Sequence, residues 1–169
     1  NQNDNIMISD LDEIPKIKNK NIFEKKKFTA FKQKMIYYKF NLQNVTEPNW
    51  FGTRACKKKY LKSPQWLRDK KVKKYSFWRF DKIDWNIIND GGWHFSFVMS
   101  NKDIINKIKS FAHSEFNNQK YLKKDIIKKK IAEKKDIFNR KIKFEKIKNE
   151  KKLPSYLTKN KIKFRSLMI

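Results

Sequence analysis

The segment from residue 6 to residue 15 constrains the fold most, because it joins a short apolar run to three carboxylates and ends on a proline. Residues 6–8 predict the end of a buried strand, and Pro15 fixes φ at a value that suits the first turn of a helix. We therefore expect residues 9–14 to form a strand-to-helix loop. In a doubly wound α/β sheet, loops beyond the carboxyl ends of the strands hold the ligands.

Two of the loop carboxylates are placed to share a cation. In an extended segment Asp10 and Asp12 leave the same face, with Cα atoms roughly 6.6 Å apart at about 3.3 Å per residue. Magnesium-like ions take one or two carboxylates and leave their other positions to water and substrate phosphates. The pair has a second interpretation, an acidic first helical turn capped by Ser9 or by Asp12 itself.

The composition excludes several classes of protein. The 169 residues are 15% aromatic and include three glycines and four prolines, which is unlike a disordered chain. One cysteine, Cys56, excludes an internal disulfide and a cysteine-rich zinc site, and we expect it to be buried in a strand. No apolar stretch approaches the roughly 18 residues of a membrane span, so we expect neither a membrane span nor a signal peptide within these residues.

The net charge of +26, from 43 basic and 17 acidic residues, suggests an anionic partner. The lysines, however, are spread over nearly the whole chain and greatly outnumber the arginines, whereas readout of bases by two parallel hydrogen bonds favours arginine. Nucleic acid is therefore the less favoured partner.

The hydrophobic pattern predicts alternating strands and helices. Ser63 and Pro64 are typical of a helix start, as is Ser100 ahead of a stripe of isoleucines. The expected strands are residues 31–42, 50–56, 85–88 and 93–99, the second antiparallel to the first, and residues 75–80 suit a strand or a bend. The expected helices are residues 64–71, 101–111 and 121–134, with a last one after residue 153, and residues 136–147 suit either structure.

Two of the three glycines, Gly91 and Gly92, are adjacent and follow Asp90. Concentrating a scarce residue at one point predicts a positive φ or a close approach to the backbone. The strand that follows places Trp93 on one face and His94 on the other.

Residues 9–15 (Ser-Asp-Leu-Asp-Glu-Ile-Pro) and 91–97 (Gly-Gly-Trp-His-Phe-Ser-Phe) together resemble the two signatures of glycosyltransferase family 17. This is the family of the β-1,4-mannosyl-glycoprotein 4-β-N-acetylglucosaminyltransferase. Residues 37–38, 110–113 and 153–157 resemble the bacterial and fungal members, so the likeness covers nearly the whole chain. Phe95 stands where the animal members carry cysteine.

The resemblance implies an α/β fold of the Rossmann-like GT-A type, a mixed sheet flanked by helices. The whole chain, residues 1–169, is then the C-terminal part of one glycosyltransferase domain whose nucleotide-binding half precedes Asn1. It also implies a UDP-sugar donor such as UDP-GlcNAc, a glycan acceptor, a divalent cation (Mn²⁺ or Mg²⁺) and inversion at the anomeric carbon. A bacterial member is expected in the cytoplasm or at a membrane, and a eukaryotic one in the Golgi membrane.

The resemblance also assigns roles to residues. Asp10 and Asp12 become the ligands of the metal and of the nucleotide sugar, and Gly91, Gly92, Trp93 and His94 line the cofactor site. As in several GT-A enzymes, a downstream histidine completes the metal shell. His113 is favoured over His94 for that role, although a lone histidine is more often structural.

Inverting transfer needs a base for the acceptor hydroxyl. The candidates are Glu115, which follows His113 closely, then Asp90 beside the two glycines, then Glu13. Glu115 equally suits a solvated carboxylate, and Asp90 a turn residue. Two other functions remain open at this point, a non-catalytic glycosyltransferase fragment and a basic nucleic-acid-binding module.

Overall fold

The computed structural model describes residues 1–72, 82–110 and 123–169, which form a mixed α/β structure with a mixed sheet flanked by helices. This confirms the coarse fold class. The strands are β1 (Asn5–Ile8), β2 (Glu13–Pro15), β3 (Phe28–Tyr37), β4 (Leu42–Asn44), β5 (Asn49–Lys57), β6 (Trp85–Ile88), β7 (Gly92–Ser96) and β8 (Phe144–Lys146). The α-helices are α1 (Pro64–Asp69), α2 (Asn101–Lys109), α3 (Lys124–Ala132) and α4 (Ser155–Lys159). Short 3-10 helices cover Lys20–Phe23, Lys58–Tyr60, Glu150–Lys152 and Arg165–Leu167.

Strand β3 has the most neighbours in the sheet. It pairs antiparallel with β5 and with β4, and parallel with β6. The pairings β1–β5, β2–β7 and β4–β8 are antiparallel. A doubly wound sheet is mostly parallel, so these pairings give the sheet a more antiparallel character than the sequence predicted.

The chain divides into two compact units. The first contains Asn1–Lys34 and Asn49–His94, and the second contains Met35–Pro48 and Phe95–Ile169. Among the described residues, the first unit has a core built from Ala30, Cys56, Leu67 and Trp85, so Cys56 is buried in a strand as expected.

The second unit has a larger core of aromatic and branched aliphatic side chains. Tyr37, Tyr38, Phe97 and Phe144 pack their rings at centroid distances between 5.4 and 6.4 Å. The helices α2 and α3 add their buried isoleucine stripes, Ile104, Ile108, Ile127 and Ile131.

The buried carboxylate of Asp136 connects several segments of this second core by hydrogen bonds. The carboxylate of Asp136, 2% exposed, accepts hydrogen bonds from the Tyr38 hydroxyl (3.1 Å) and from Arg140 Nε (3.0 Å) and Nη2 (2.8 Å). It also accepts from the backbone N–H groups of Phe138 and Arg140. The charge is therefore fully paired, as burial requires.

Three local predictions were wrong. Residues 9–14 do not lead into a helix, because residues 13–15 pair with β7 as a short strand and Pro15 stands at its end, where no N–H is needed. Strand β1 is not buried either, since Met7 is 40% exposed. The predicted strand over residues 31–42 stops early, because Tyr38 takes a positive φ of 59°.

Most other elements lie close to their predicted positions, and both serine caps are confirmed. Ser63 Oγ accepts from Trp66 N, and Ser100 Oγ accepts from Asp103 N. The strand or bend expected over residues 75–80 lies outside the described residues. Within the described ranges, none of the helices combines the length and the apolar character needed to cross a bilayer.

Candidate functional site

The two sequence motifs lie side by side. Strands β2 and β7 pair antiparallel with Glu13 opposite His94, Ile14 opposite Trp93 and Pro15 opposite Gly92. The acidic loop leads into β2 and the double-glycine turn leads into β7. Residues about 80 positions apart in the chain therefore share one short ribbon in the first unit.

Glu13 anchors the acidic loop from inside. Its side chain is 6% exposed, and its carboxylate accepts from Trp50 Nε1 (2.8 Å) and from the backbone N–H of Asp10 (3.1 Å). Ser9 Oγ donates to the Glu13 carbonyl (3.0 Å) and lies 2.6 Å from Thr53 Oγ1. The loop conformation thus depends on strand β5, which carries both Trp50 and Thr53.

Glu13 also orients an aromatic platform. The indole ring of Trp50 stacks on the imidazole of His94 with a centroid distance of 5.2 Å and an interplanar angle of 26°. Trp50 remains 41% exposed. His94 Nε2 in turn lies 3.4 Å from Asp12 Oδ1, so His94 sits between the platform and the second aspartate of the loop.

The first aspartate is held by helix α1. Arg68 donates from Nη1 to Asp10 Oδ1 and from Nη2 to Asp10 Oδ2 (2.6 Å), a two-pronged pair. The hydrogen bond with Asp10 raises the pKa of Arg68. Arg54 Nη1 donates to the Arg68 carbonyl, which ties the end of α1 to strand β5, and burial lowers the pKa of Arg54.

A cavity of about 240 Å³ opens between the acidic loop, strand β5 and helix α1. Pockets for drug-sized ligands run from about 300 to 1,000 Å³, so this one suits a single sugar ring or a phosphate group. Its lining mixes an aromatic face with carboxylate, guanidinium and amide groups, among them Asp10, Trp50, Arg54, Gln65, Arg68 and Asp69.

The double-glycine turn is needed for backbone packing. Gly92 has φ 122°, and a Cβ there would lie 2.8 Å from the backbone N of Lys16. A Cβ on Gly91 would lie 2.7 Å from the carbonyl oxygen of Ile88. This confirms the predicted positive φ at Gly92 and the close approach at both glycines. The atoms that approach the glycines are backbone atoms of this chain.

Asp90 is an ion-pair residue in this structure. Its carboxylate accepts from Lys16 Nζ (2.7 Å) and from Lys34 Nζ, and both ammonium groups lie over the Trp93 ring, 5.7 and 6.0 Å from its centroid. Burial raises the pKa of Asp90, but the hydrogen bonds and charges of the two lysines outweigh burial, so the pKa is lowered overall. A lowered pKa makes Asp90 a weaker proton acceptor.

Asp12 and His94 are the candidate metal-ligating side chains that lie close together. Two ligands of one ion at about 2.1 Å and at right angles are roughly 3 Å apart, which is close to the 3.4 Å between Asp12 Oδ1 and His94 Nε2. Asp10 is bound by Arg68 instead. Within the described part of the chain, no group of three or more acidic, histidine or cysteine side chains is arranged around one point.

Two predicted site residues, His113 and Glu115, lie outside the described residues, so their roles stay predictions. The sequence did not indicate a role for Arg68, and it indicated Glu13 as a candidate base and not as the anchor of the acidic loop. A signal for Arg68 was available, because arginine is scarce in this lysine-rich chain and a two-pronged carboxylate pair favours arginine over lysine.

Comparisons of this chain with protein-family models, with curated proteins and with solved structures found no match. The chemistry of the site therefore has to be argued from its own residues.

Proposed function

We propose that this protein is an inverting, metal-dependent glycosyltransferase that moves GlcNAc or a related sugar from a UDP-sugar to a glycan hydroxyl. On this proposal the fold is of the GT-A type. The observation that carries the proposal is the pairing of β2 with β7, because it brings the Asp-x-Asp loop and the Gly-Gly-Trp-His segment together.

Asp12 and His94 are the proposed protein ligands of Mn²⁺ or Mg²⁺, with Asp10 joining them if Arg68 turns towards substrate. Oxygen and imidazole donors suit these ions. The bound cation would neutralise negative charge that develops on the departing diphosphate. Glu13 keeps the loop that carries both aspartates in one conformation.

The proposal gives Arg68 and Trp50 roles in binding. The planar guanidinium of Arg68 matches a phosphate as well as it matches Asp10. The exposed indole of Trp50 offers an apolar face on which the C–H side of a sugar ring stacks, while Gln65 and Asp69 supply hydrogen-bonding groups for sugar hydroxyls. The cavity takes one ring, so the rest of a glycan extends beyond it.

The proton of the acceptor hydroxyl needs a base. Glu115 remains the first candidate. Asp90 is weakened for this role by its two lysines, and Glu13 is engaged by Trp50 and by the Asp10 backbone.

The test is ligand-dependent stability of the full chain. UDP-GlcNAc with Mn²⁺, at 100 times its dissociation constant, should raise the free energy of unfolding by about 2.7 kcal/mol. Asp12→Asn should abolish the part of this shift that needs Mn²⁺. Asp84→Asn is the matched control, because Asp84 is a surface carboxylate of the same unit, 81% exposed and paired with Lys26.

The proposal fails if neither UDP-GlcNAc nor another UDP-sugar changes the melting temperature, or if Asp12→Asn responds to Mn²⁺ as the wild type does. A polynucleotide that stabilises the protein steeply at low salt, with no effect of UDP-sugars, would instead support the nucleic-acid-binding alternative.

A further inference from the structure

The exposed apolar side chains of the second unit are concentrated near its C-terminal end. Among the described residues of this unit, those that are large, apolar and exposed are Tyr156 (58%), Ile162 (94%) and Ile169 (37%). Single exposed apolar residues are ordinary on protein surfaces. Here, however, the three residues share one short segment, and the side chain of Ile162 is almost completely exposed to water.

The same segment is strongly basic. Lys161 and Lys163 flank Ile162 directly, and Lys159 is separated from Lys161 by Asn160 alone. Over residues 150–169 the sequence has six basic residues and one acidic residue, Glu150, which pairs with Lys161 at 2.6 Å. Lysines are frequent throughout the chain, so the distinguishing feature is their combination with exposed apolar groups.

Contacts within the second unit fix the shape of this segment. Asn160 Nδ2 donates to the Tyr156 carbonyl (2.8 Å), and Thr158 Oγ1 donates to the Ser155 carbonyl (2.9 Å). The Tyr156 ring contacts Phe164 edge-on at 5.9 Å, and Phe164 contacts Phe40 at 5.4 Å. Ile162 is therefore held outwards by an anchored turn.

We propose that residues 156–163 form a docking surface for an anionic lipid bilayer, with Ile162 among the acyl chains and Lys159, Lys161 and Lys163 at the headgroup phosphates. Tyrosine is enriched at the membrane–water interface, where Tyr156 would lie. Basic side chains next to an apolar group are the usual means by which a protein surface binds an anionic membrane. A nucleic acid would satisfy the lysines but has no apolar interior for Ile162.

A second basic feature lies on the same unit. A cavity of about 320 Å³ is lined by three lysines from different segments, Lys39, Lys102 and Lys124, and also by Ser166 and Leu167. Ser166 and Leu167 follow the docking segment closely in sequence, and the cavity adds to the positive charge of this unit.

The experiment is co-sedimentation of the full chain with vesicles of phosphatidylcholine alone and of phosphatidylcholine mixed with phosphatidylglycerol. We expect binding to the anionic vesicles and little to the neutral ones. Lys159→Gln/Lys161→Gln/Lys163→Gln should weaken binding by about fivefold per lysine, roughly a hundredfold together. Ile162→Ser, which keeps every charge, should weaken it by about tenfold.

The matched control is Lys128→Gln/Lys129→Gln/Lys148→Gln, which removes the same charge from exposed positions of the same unit outside this segment. It should change binding far less than the first triple variant, and thermal melting checks that all variants fold. The proposal is overturned if the two triple variants lose vesicle affinity equally, or if Ile162→Ser binds vesicles as the wild type does. Either result would mean that the membrane attracts the basic protein as a whole and not this segment. Tighter binding to polynucleotide than to anionic vesicles, with no effect of Ile162→Ser, would also overturn the proposal.

Discussion

Arginine and lysine are used differently in this protein. Arg68 and Arg140 each make a two-pronged pair with an aspartate, Asp10 in the first unit and Asp136 in the second. Lysines pair through a single ammonium group, as Lys16 does with Asp90. A planar fork fixes the orientation of its partner, whereas a point charge does not, so the two arginine pairs define side-chain geometry.

Gly52 is the residue at which a single methyl group should disturb the candidate site. A Cβ there would lie 2.6 Å from Glu13 Cδ and would also meet the buried amide oxygen of Gln33. Gly52→Ala should lower the free energy of unfolding by about 2 kcal/mol, within the range for overpacked sites. Chemical denaturation measures the loss, and the tryptophan fluorescence of the protein should change as well because Glu13 holds the Trp50 indole.

A double-variant cycle supplies the control for Gly52. Glu13→Ala removes the group that the new methyl meets, so the combined variant should lose less stability than the sum of the two single changes. Strict additivity would show that the methyl group at position 52 is accommodated elsewhere and that Gly52 is not required by Glu13.

At the scale of elements, helix α1 links the acidic loop to the rest of the first unit. It has six residues, so little of its stability comes from its own hydrogen bonds. Its start is fixed by Ser63, which caps Trp66 N, and by Pro64 at the first helical position. Its last turn carries Arg68 to Asp10, so a local capping signal positions a residue of the candidate site.

Removing either serine cap should cost about 1 kcal/mol of unfolding free energy. Ser63→Ala should also increase hydrogen exchange in α1, and Ser100→Ala should do so in α2, where Ser100 Oγ lies 3.2 Å from Asp103 N. Ser155→Ala is the control, since Ser155 is exposed and α4 has no side-chain cap. If all three variants lose the same stability, the effect belongs to serine replacement in general and not to capping.

At the scale of the whole molecule, each unit depends on contacts between distant parts of the chain. In the second unit, Tyr38 and Asp136 are 98 positions apart and share a buried hydrogen bond. Burial and the neighbouring Asp136 charge raise the pKa of Tyr38. Burial also raises the pKa of Asp136, but hydrogen bonds from Arg140 outweigh it, so that pKa is lowered overall.

The lowered pKa of Asp136 predicts acid sensitivity. A carboxyl group whose pKa is lower in the folded state stabilises the protein fully above its unfolded value, about 3.9, and loses that contribution as the pH falls through the folded value. At neutral pH, Asp136→Asn should cost on the order of 3 kcal/mol, because Arg140 and Tyr38 lose a charged partner. The difference between variant and wild type should shrink below about pH 4.

Denaturant unfolding between neutral pH and pH 2 measures this difference. Asp103→Asn is the control for the loss of a carboxylate, since Asp103 is an exposed residue of the same unit. A constant difference between Asp136→Asn and the wild type at every pH would mean that the loss comes from packing and not from ionisation.

The sequence by itself determined the features that depend on neighbouring residues. The caps at Ser63 and Ser100 and most strand and helix positions follow from backbone preferences and side-chain bonds within four residues. The positive φ of Gly92 is a backbone preference of glycine, whereas the backbone that a Cβ would meet there, at Lys16, is distant in sequence. The prediction failed at Pro15, where a helix-start signal was overridden by pairing with β7.

Only the tertiary structure decided which residues meet. The partner of Asp10 is 58 positions away, and the partner of Trp50 is 37 positions away. Sequence periodicity carries no information on such pairs. They form only when the loops between distant segments close and those segments pack together. The acidic loop was therefore predictable as a loop, whereas its attachment to Arg68, Trp50 and His94 was not.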